Sequence, residues 1–311
     1  MVEHDRRAGA LTAPQAFDSP LRLEIGARTL ATIPRRILRV AWSLDDVLAG
    51  RVLPLPPIGR ADGYLLTSVP EALLDAVRLG GMVAHVRQRY CRWHVDLSVG
   101  HAAWSAGLSA NARAGLRRKA KRLAAAGGLD VRAYRTPADL AQFHALARPL
   151  SAMTYQERLL DAGLPDTDAF QALTALLAGQ DAVRAWLLFH AGQPIAYLWC
   201  AAEGETLRYD YVGHDPAFAH LSPGAVLHAE ALRRLFDDRF ARFDFTEGEG
   251  QHKRQLATGG TPCADLLLLR PTLANRAALL AFAGFNGAVA AGKRVSRGGV
   301  AKRLGDRLRR A

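Results

Sequence analysis

Residues 193–260 constrain the fold of this chain most, because strand and helix signals follow one another there with little chain between them. Residues 193–202 and 206–213 are rich in β-branched and aromatic side chains and are joined by turn residues, which predicts a β-hairpin. Ser222 and Pro223 then suit the cap and the first position of a helix. The apolar spacing after them continues that helix.

A third strand and a short basic helix complete this stretch. In the strand, Phe243 and Phe245 share one face and Asp244 takes the other, since side chains alternate along a strand. An acidic break with two glycines follows, and the chain then enters a basic helical turn at residues 252–254. The predicted order is strand, strand, helix, strand, helix.

Three motifs in this stretch resemble those of the acetyltransferase-like domain of Fem-type and cellulose-biosynthesis-type GNAT proteins. They are the strand end at residues 211–216 (Tyr-Val-Gly-His-Asp-Pro), the Ser-Pro-Gly helix start at residues 222–224, and the Phe-Asp-Phe strand at residues 243–245 followed by Lys253 and Arg254. The motifs occur in the order that the family has. The resemblance implies an α/β fold with a mixed sheet, the GNAT-like fold of acyl-CoA N-acyltransferases.

The rest of the chain supplies the other elements of such a fold. Strand and helix signals give the order β-α-α-β-β-β-α-β-α-β for the region that ends at residue 270. The resemblance implies a GNAT-like acyltransferase domain at residues 108–270 and a degenerate GNAT-like half at residues 21–107. Residues 1–20 are predicted to be disordered or peripheral, and residues 271–311 to form a basic amphipathic segment.

Three local predictions concern the region before the hairpin. Residues 71–79 are predicted to form a helix that stops at two glycines, and residues 82–87 and 93–98 alternate like two separate strands. Residues 110–125 form the clearest amphipathic helix, with apolar side chains on one side and cations around the rest. This basic face is either solvated or a ridge that contacts phosphate.

The net charge of +12 is concentrated in two segments. Residues 113–122 carry six cations and no acid, and the chain from residue 271 onward carries nine cations and one acid, which leaves −2 for the remainder. Such segments indicate phosphate, nucleic acid or an anionic membrane as a partner, and tRNA is one candidate.

Cysteine usage and the N-terminus indicate a cytoplasmic protein. Cys91, Cys200 and Cys263 are odd in number and widely spaced, which argues against both a disulfide framework and a metal site. The N-terminal residues lack the apolar core of a signal peptide. No permanently bound cofactor or metal is expected.

The C-terminal segment has an apolar part and a basic part. Residues 277–292 carry no charge but are too short for a membrane-spanning helix, and eight cations follow them. This combination predicts attachment to an anionic membrane surface, at the inner face of the membrane. The alternative is a helix packed on the domain with a frayed basic tail.

The donor of the acyl group is left open by the sequence. In GNAT enzymes a loop with two glycines and a Gln or Arg meets the pyrophosphate of coenzyme A, but residues 219–226 retain one glycine of that pattern, Gly224. Ser222, Gly224, His252 and Lys253 are predicted to bind the donor. The donor is acyl-CoA, an acyl carrier protein or an aminoacyl-tRNA. For His252 and Lys253 the alternative is a surface basic turn.

Glu247 is the predicted general base, because it lies just beyond the strand where GNAT chemistry occurs. Asp244 and Tyr211 are further catalytic candidates. The alternatives are a solvated loop acid for Glu247 and, for Asp244, a structural acid paired with Arg242 or Lys253. Tyr211 is predicted to share a strand face with Tyr209 and is either a proton donor to the leaving group or a core aromatic.

The acceptor is predicted to be an amine. In GNAT folds the segment between the first two helices lines the acceptor pocket, so the resemblance makes Tyr155, Gln156 and Glu157 acceptor contacts, with an ordinary helix-loop as the alternative. The resulting hypothesis is an N-acyltransferase of envelope lipid, polysaccharide or peptide metabolism. The alternatives are an aminoacyl-tRNA-dependent Fem-like transferase and a non-catalytic module that binds nucleic acid or membrane.

Overall fold

The structure, a computed structural model, describes residues 16–18, 21–25, 28–78, 80–154, 163–248 and 250–297, with side chains placed between residues 31 and 288 except at residue 286. In chain order the elements are β1 (Ala16–Asp18), β2 (Leu21–Ile25), β3 (Arg28–Ile33), β4 (Arg36–Ala41), α1 (Leu44–Leu48), β5 (Gly63–Pro70), β6 (Val83–Asp96), α2 (Gly100–Gly107), α3 (Ala110–Gly127), β7 (Asp130–Tyr134), α4 (Pro137–Met153), α5 (Asp168–Gly179), β8 (Val183–His190), β9 (Gln193–Glu203), β10 (Thr206–His214), α6 (Pro223–Leu235), β11 (Arg242–Asp244), α7 (Gln251–Leu256), β12 (Gly259–Leu269) and α8 (Leu273–Arg297).

The chain forms two compact units whose segments alternate along the sequence. The larger unit contains Trp42–Arg51 and Arg89–Cys263, and the smaller unit takes its residues from Ala13–Ala41, Val52–Gln88 and Ala264–Ala311. The strands β6 and β12 contribute residues to both. The domain boundaries expected from the sequence stay predictions, as does the degenerate GNAT character of the first half.

The smaller unit is a sheet with the C-terminal helix packed on it. Its strand order is β1-β4-β5-β12, with β4 and β5 parallel, and β2 and β3 form a separate hairpin. Ala278, Leu279 and Phe282 of α8 are buried against Ile37 and Leu65. This packing is the alternative considered for residues 277–292, while attachment of the segment to a membrane stays a prediction. None of the described helices is long and apolar enough to cross a bilayer.

The larger unit is a mixed sheet with apolar layers on both faces. Its strand order is β6-β11-β10-β9-β8-β7, and the pair β10–β11 is parallel. Alternate residues of β8 enter different layers, since Leu187 belongs to the cluster with α4 and α5, and Leu188 to the cluster with α6 and Leu123 of α3. A strand buried on both faces explains the near-continuous apolar sequence of β8.

The predicted helix α3 is confirmed, and its cations point away from the core. Leu123 is fully buried, whereas Arg117, Arg118, Lys121 and Arg122 are exposed. This distribution follows the helical period of 3.6 residues. Which anion, if any, meets this face stays open.

Two other sequence predictions are wrong. Residues 71–78 do not form the predicted helix, and a single 3-10 turn spans Glu71–Leu73. So short a segment is marginally stable as a helix, and the burial of Leu74 and Val77 determines its conformation instead. Residues 97 and 98 lie in a 3-10 turn, whereas residues 83–87 and 93–96 of the two predicted strands belong to one continuous strand, β6. Its central Arg92, a charge that normally indicates exposure, is 4% exposed.

Gly63 lies where β5 approaches the backbone of β12. A Cβ atom at this position would be 2.0 Å from the carbonyl oxygen of Leu268 and 2.7 Å from the Leu269 side chain. Backbone atoms cannot yield as a flexible side chain can, so any larger residue forces the strands apart. Gly80, in contrast, is exposed, and a Cβ there would have no heavy atom within 4 Å.

We therefore expect Gly63→Ala to lower the free energy of unfolding by about 1–3 kcal/mol, as overpacking does in other protein cores. Gly80→Ala in the same unit is the matched control and should change it by less than about 0.5 kcal/mol. Urea denaturation followed by circular dichroism measures both. Equal midpoints for the two variants would contradict the close approach at Gly63.

His228 is a titratable side chain in the core of the larger unit. Its burial lowers the pKa from 6.5 to about 3, and the nearby His252 and Lys253 add to the lowering. A proton therefore binds the unfolded chain but not the folded one between these two values. Stability is retained above pH 6.5 and decreases as the pH falls towards 3.

We expect His228→Phe to remove this part of the acid sensitivity. In the wild type His228 should cost about 1.4 kcal/mol of unfolding free energy per pH unit below pH 6. The measurement is the urea midpoint at pH 7.5, 6, 5 and 4 for both proteins. Parallel curves would show that His228 titrates in the folded protein as it does in the unfolded chain.

Candidate active site

The strands β10 and β11 part soon after they meet. Their parallel register joins Thr206 to Arg242 and ends with Arg208 beside Asp244, whereas β10 continues to His214. Past this point the hydroxyl of Thr246 donates to the carbonyl oxygen of Tyr209 at 3.2 Å. The strand β10 therefore continues past the end of its pairing with β11, and we call this place the opening between the two strands.

A β-bulge at Asp210 separates two tyrosines that were predicted to share a strand face. Tyr209 pairs with Cys200 and Tyr211 with the adjacent Trp199, so one residue of β10 is extra. Tyr209 therefore packs in the layer beside α6, and Tyr211 in the layer of α4 and α5. The prediction is wrong because a bulge shifts the alternation by one residue. Tyr211 is a buried aromatic in contact with Trp199 at 5.5 Å between ring centroids.

Asp244 is fully buried and paired with Arg92 of β6. The guanidinium donates two hydrogen bonds to the carboxylate, at 3.2 and 2.6 Å, and a third to the carbonyl oxygen of Trp42 at 2.6 Å. Burial alone would raise the pKa of Asp244, but the charge and hydrogen bonds of Arg92 hold it below its ordinary value. The expected partners, Arg242 and Lys253, are wrong. The true partner is distant in sequence.

Lys253 holds the loop that carries Glu247. Its ammonium donates to the carbonyl oxygens of Phe245 at 2.8 Å and Glu247 at 2.7 Å, and the side chain is 7% exposed. The alternative of a surface basic turn is therefore wrong for Lys253. Thr246 between them has a φ of 57°, a conformation in which a β-branched residue is strained. Glu247 lies half-buried just beyond β11.

Two side chains near the pair of Arg92 and Asp244, those of Arg208 and Asp210, were not predicted from the sequence. The Arg208 guanidinium donates to Asp210 at 2.7 Å, and the backbone N–H of Ala201 donates to the other oxygen of that carboxylate at 3.3 Å. Asp210 is 3% exposed. The sequence feature that could have indicated them is the opposite charge of Arg208 and Asp210 on either side of Tyr209. In a regular alternating strand these two charged residues would lie on the solvent face.

His228 of α6 and His252 of α7 stack on each other beside the opening. Their ring centroids are 5.2 Å apart and their planes differ by 3°. The Tyr209 ring lies 5.1 Å from His228 and 6.3 Å from His252. Burial, together with the ammonium of Lys253, lowers the pKa of His252 as well. Both rings are therefore neutral near pH 7. Their contact could not be predicted from the sequence.

The start of α6 offers few hydrogen-bond donors to a phosphate. Ser222 is left-handed, with a φ of 56°, and its side chain makes no cap, so its predicted capping role is wrong. Its own N–H donates to Ala219, Pro223 has no N–H, and the N–H of Ala225 donates to the carbonyl of Ser222. Within residues 222–225, this leaves the N–H of Gly224 for a ligand. Whether Ser222 and Gly224 bind the donor stays a prediction.

The predicted acceptor contacts, Tyr155, Gln156 and Glu157, lie outside the described residues. Thr154, which precedes them, is buried against the end of β10, where a Cβ on Gly213 would be 2.6 Å from it and 2.5 Å from Tyr197. This close approach explains the glycine of the Tyr-Val-Gly motif. Thr154 therefore lies beside the strand that borders the opening.

The donor set does not indicate a metal centre. No group of three or more His, Cys, Asp or Glu side chains in the part of the chain that the structure describes is arranged to hold a metal ion. Cys91, Cys200 and Cys263 are thiols that form no disulfide with one another.

Comparison with known proteins supports the architecture. Residues 110–254 match the family model described as an acetyltransferase (GNAT) domain. Among solved structures, the C-terminal domain of a protein described as a lysylphosphatidylglycerol synthetase of Agrobacterium fabrum is similar, with a TM-score of 0.51, 14% identity, and coverage of 80% of this chain and 81% of that one. FemX is similar with a TM-score of 0.50, 10% identity and coverage of 90% and 92%. A search of curated proteins found no match.

The family match covers the parting of β10 and β11, the Asp210 bulge and the loop of Glu247 and Lys253. The two structural similarities extend the same fold over most of the chain. The chain therefore has a mixed α/β, GNAT-like fold, and its residues 110–254 match the model of an acetyltransferase (GNAT) domain.

Proposed function

We propose that this protein is an N-acyltransferase that moves an acyl group from a thioester donor to an amine acceptor. The observation that carries the proposal is the opening between β10 and β11, which begins after Arg208 and Asp244 and is bordered by Glu247 and the histidine pair. Acyl transfer needs little more than a held donor, a stabilised oxyanion and a base. Backbone N–H groups of β10 can supply the second requirement.

The charged side chains divide into supporting and reacting groups. Asp244 is sealed from solvent and saturated by Arg92 and the N–H of Thr246, so its part is to hold β6, β11 and the loop together. Glu247 is partly accessible at the mouth of the opening, where an incoming ammonium group would meet it. We assign the first deprotonation of the acceptor to Glu247.

The donor class follows from the modest phosphate site at α6. One remaining N–H, that of Gly224, favours a thioester whose carrier is gripped elsewhere, so acyl carrier protein is proposed beside acyl-CoA. His252 and Lys253 border the donor's path. An aminoacyl-tRNA donor is the second candidate, because the exposed cations of α3 suit a phosphate backbone.

The acceptor is proposed to be an amine of an envelope lipid, polysaccharide or peptide, met by Tyr155, Gln156 and Glu157 on the cytoplasmic side. The fold similarity to a lysylphosphatidylglycerol synthetase domain and to FemX is compatible with that range. The basic C-terminal segment would bring the protein to an anionic membrane surface. A module that binds nucleic acid or membrane without catalysis is the rival.

We expect a thermal-shift panel to identify the donor class. Saturation with the right donor should stabilise the folded protein by about 2.7 kcal/mol at a hundredfold excess over its dissociation constant. The panel contains acetyl-CoA, longer acyl-CoA, acyl carrier protein with and without its acyl group, and charged and uncharged tRNA. A shift with tRNA of either kind and with no thioester would favour the second candidate, and turnover of no donor would favour the rival.

The roles of the two acids predict opposite phenotypes. Asp244→Asn should lower the free energy of unfolding by about 3–5 kcal/mol, because Arg92 would be left buried without its counter-charge. Glu247→Gln should leave stability within about 0.5 kcal/mol and lower the transfer rate about 10² to 10⁴-fold. Denaturation and initial-rate assays on both variants separate the roles. Full activity of Glu247→Gln would place the base elsewhere.

A further inference from the structure

The stacked pair of His228 and His252 is not explained by packing. Each ring has a buried Nε2 atom with no hydrogen-bond partner among the described residues. An unsatisfied buried polar atom lowers stability, and a phenyl ring would stack equally well without that cost. Two such atoms in one contact therefore point to a ligand or to proton transfer.

The position of the pair connects it to the reaction. Tyr209, which touches both rings, is the first residue of β10 beyond its last pair with β11. Phe245, which directly follows β11, meets His252 edge to face at 6.3 Å. The two histidines thus lie where the strands part, and this is the place proposed above for the acyl carbonyl.

The geometry of the stack excludes a shared metal ion. Two imidazoles that bind one ion must direct their lone pairs to a common point. Rings that are stacked with 3° between their planes keep those lone pairs in separate, nearly parallel planes. The roles left for the Nε2 atoms are a hydrogen bond to a bound substrate and the transfer of a proton.

We propose that His252 is a proton shuttle of this site, which takes a proton from the attacking amine and passes it to the leaving atom of the donor. The proposal rests on the N-acyl transfer proposed above. His228 is a positioning residue that holds the His252 ring by stacking. His252 lies on a short helix whose next residue, Lys253, is fixed to the loop of Glu247.

Acyl transfer to an amine requires two proton removals, and the site has an acceptor for each. The acceptor arrives as an ammonium, and Glu247 takes its first proton. The amine nitrogen then attacks the acyl carbon, and the C–N bond forms. The second proton moves from this nitrogen to Nε2 of His252, and then to the sulfur or oxygen of the donor as the C–S or C–O bond breaks. The shuttle ends in its starting state.

The surroundings of His252 favour release of the proton that it accepts. The Lys253 ammonium lies beside the His252 ring, and the rings of Tyr209 and His228 are in contact with it. A lasting imidazolium next to Lys253 is therefore disfavoured, and burial lowers the pKa of His252 further. On the acidic side of the pH–rate profile, the transfer rate should therefore decrease with a midpoint below pH 6.5, the ordinary histidine value.

The test is a matched pair of variants of the full chain, His252→Phe and His228→Phe. Each replaces one imidazole of the stack by a phenyl ring and removes one unpartnered nitrogen, so both should fold with unchanged or higher melting temperature. Transfer from acetyl-CoA and from p-nitrophenyl acetate to a set of primary amines is measured from pH 5 to 9. We expect His252→Phe to lose about 10² to 10⁴-fold in kcat. His228→Phe keeps a stacked ring that positions His252, so its loss should be at least about tenfold smaller than that of His252→Phe.

The outcomes separate this inference from the proposed function. Wild-type turnover with equal rates in both variants, or with equal losses, overturns the shuttle and leaves N-acyl transfer standing. Absence of wild-type turnover counts against the function, and labelling by diethyl pyrocarbonate then decides on His252. Neutral, reachable His252 should be labelled at pH 7 and keep its reactivity to lower pH than N-acetylhistidine. An unlabelled His252 would show that no small molecule reaches the ring, which overturns the proposal.

Discussion

The ion pair between Arg92 and Asp244 fixes the centre of the larger unit. It joins β6 to β11, and a further hydrogen bond from Arg92 fastens the chain at Trp42, just before α1. Because both charges are sealed from water, the loss of either leaves the other unpaired at a high cost. Thr246 is tied to the same carboxylate, so the loop of Glu247 starts from a fixed point.

From this point two irregularities shape the opening. The bulge at Asp210 turns Tyr209 and Tyr211 to opposite faces of the sheet, and Thr246, which follows β11, has a left-handed backbone conformation. Such local departures from regular strand geometry occur where function requires a side chain to be re-aimed. Lys253 then spans the carbonyl oxygens of the diverging loop and brings His252 against His228.

Much of the fold followed from local signals. The hairpin of β9 and β10, the helix α3 and the position of β11 are visible in the period of apolar residues, since period 2 and period 3.6 differ over a few turns of chain. The strand β6 was divided in two by its central charge, because Arg92 reads as an exposed residue until its partner is known. The bulge at Asp210 could not be predicted for a related reason, because one extra residue in a strand does not alter the residue types from which a strand is predicted.

The sequence by itself determined the order of elements from β7 to β12, the concentration of charge in two segments and the motifs that carry the resemblance to GNAT proteins. Only the tertiary structure decided which acid is buried, which tyrosine faces which layer, and that two histidines meet. Propensity and periodicity act over neighbouring residues, whereas the partners Arg92 and Asp244 are 152 positions apart. The pKa of a side chain depends on its burial and charged neighbours, and these exist once the strands have paired.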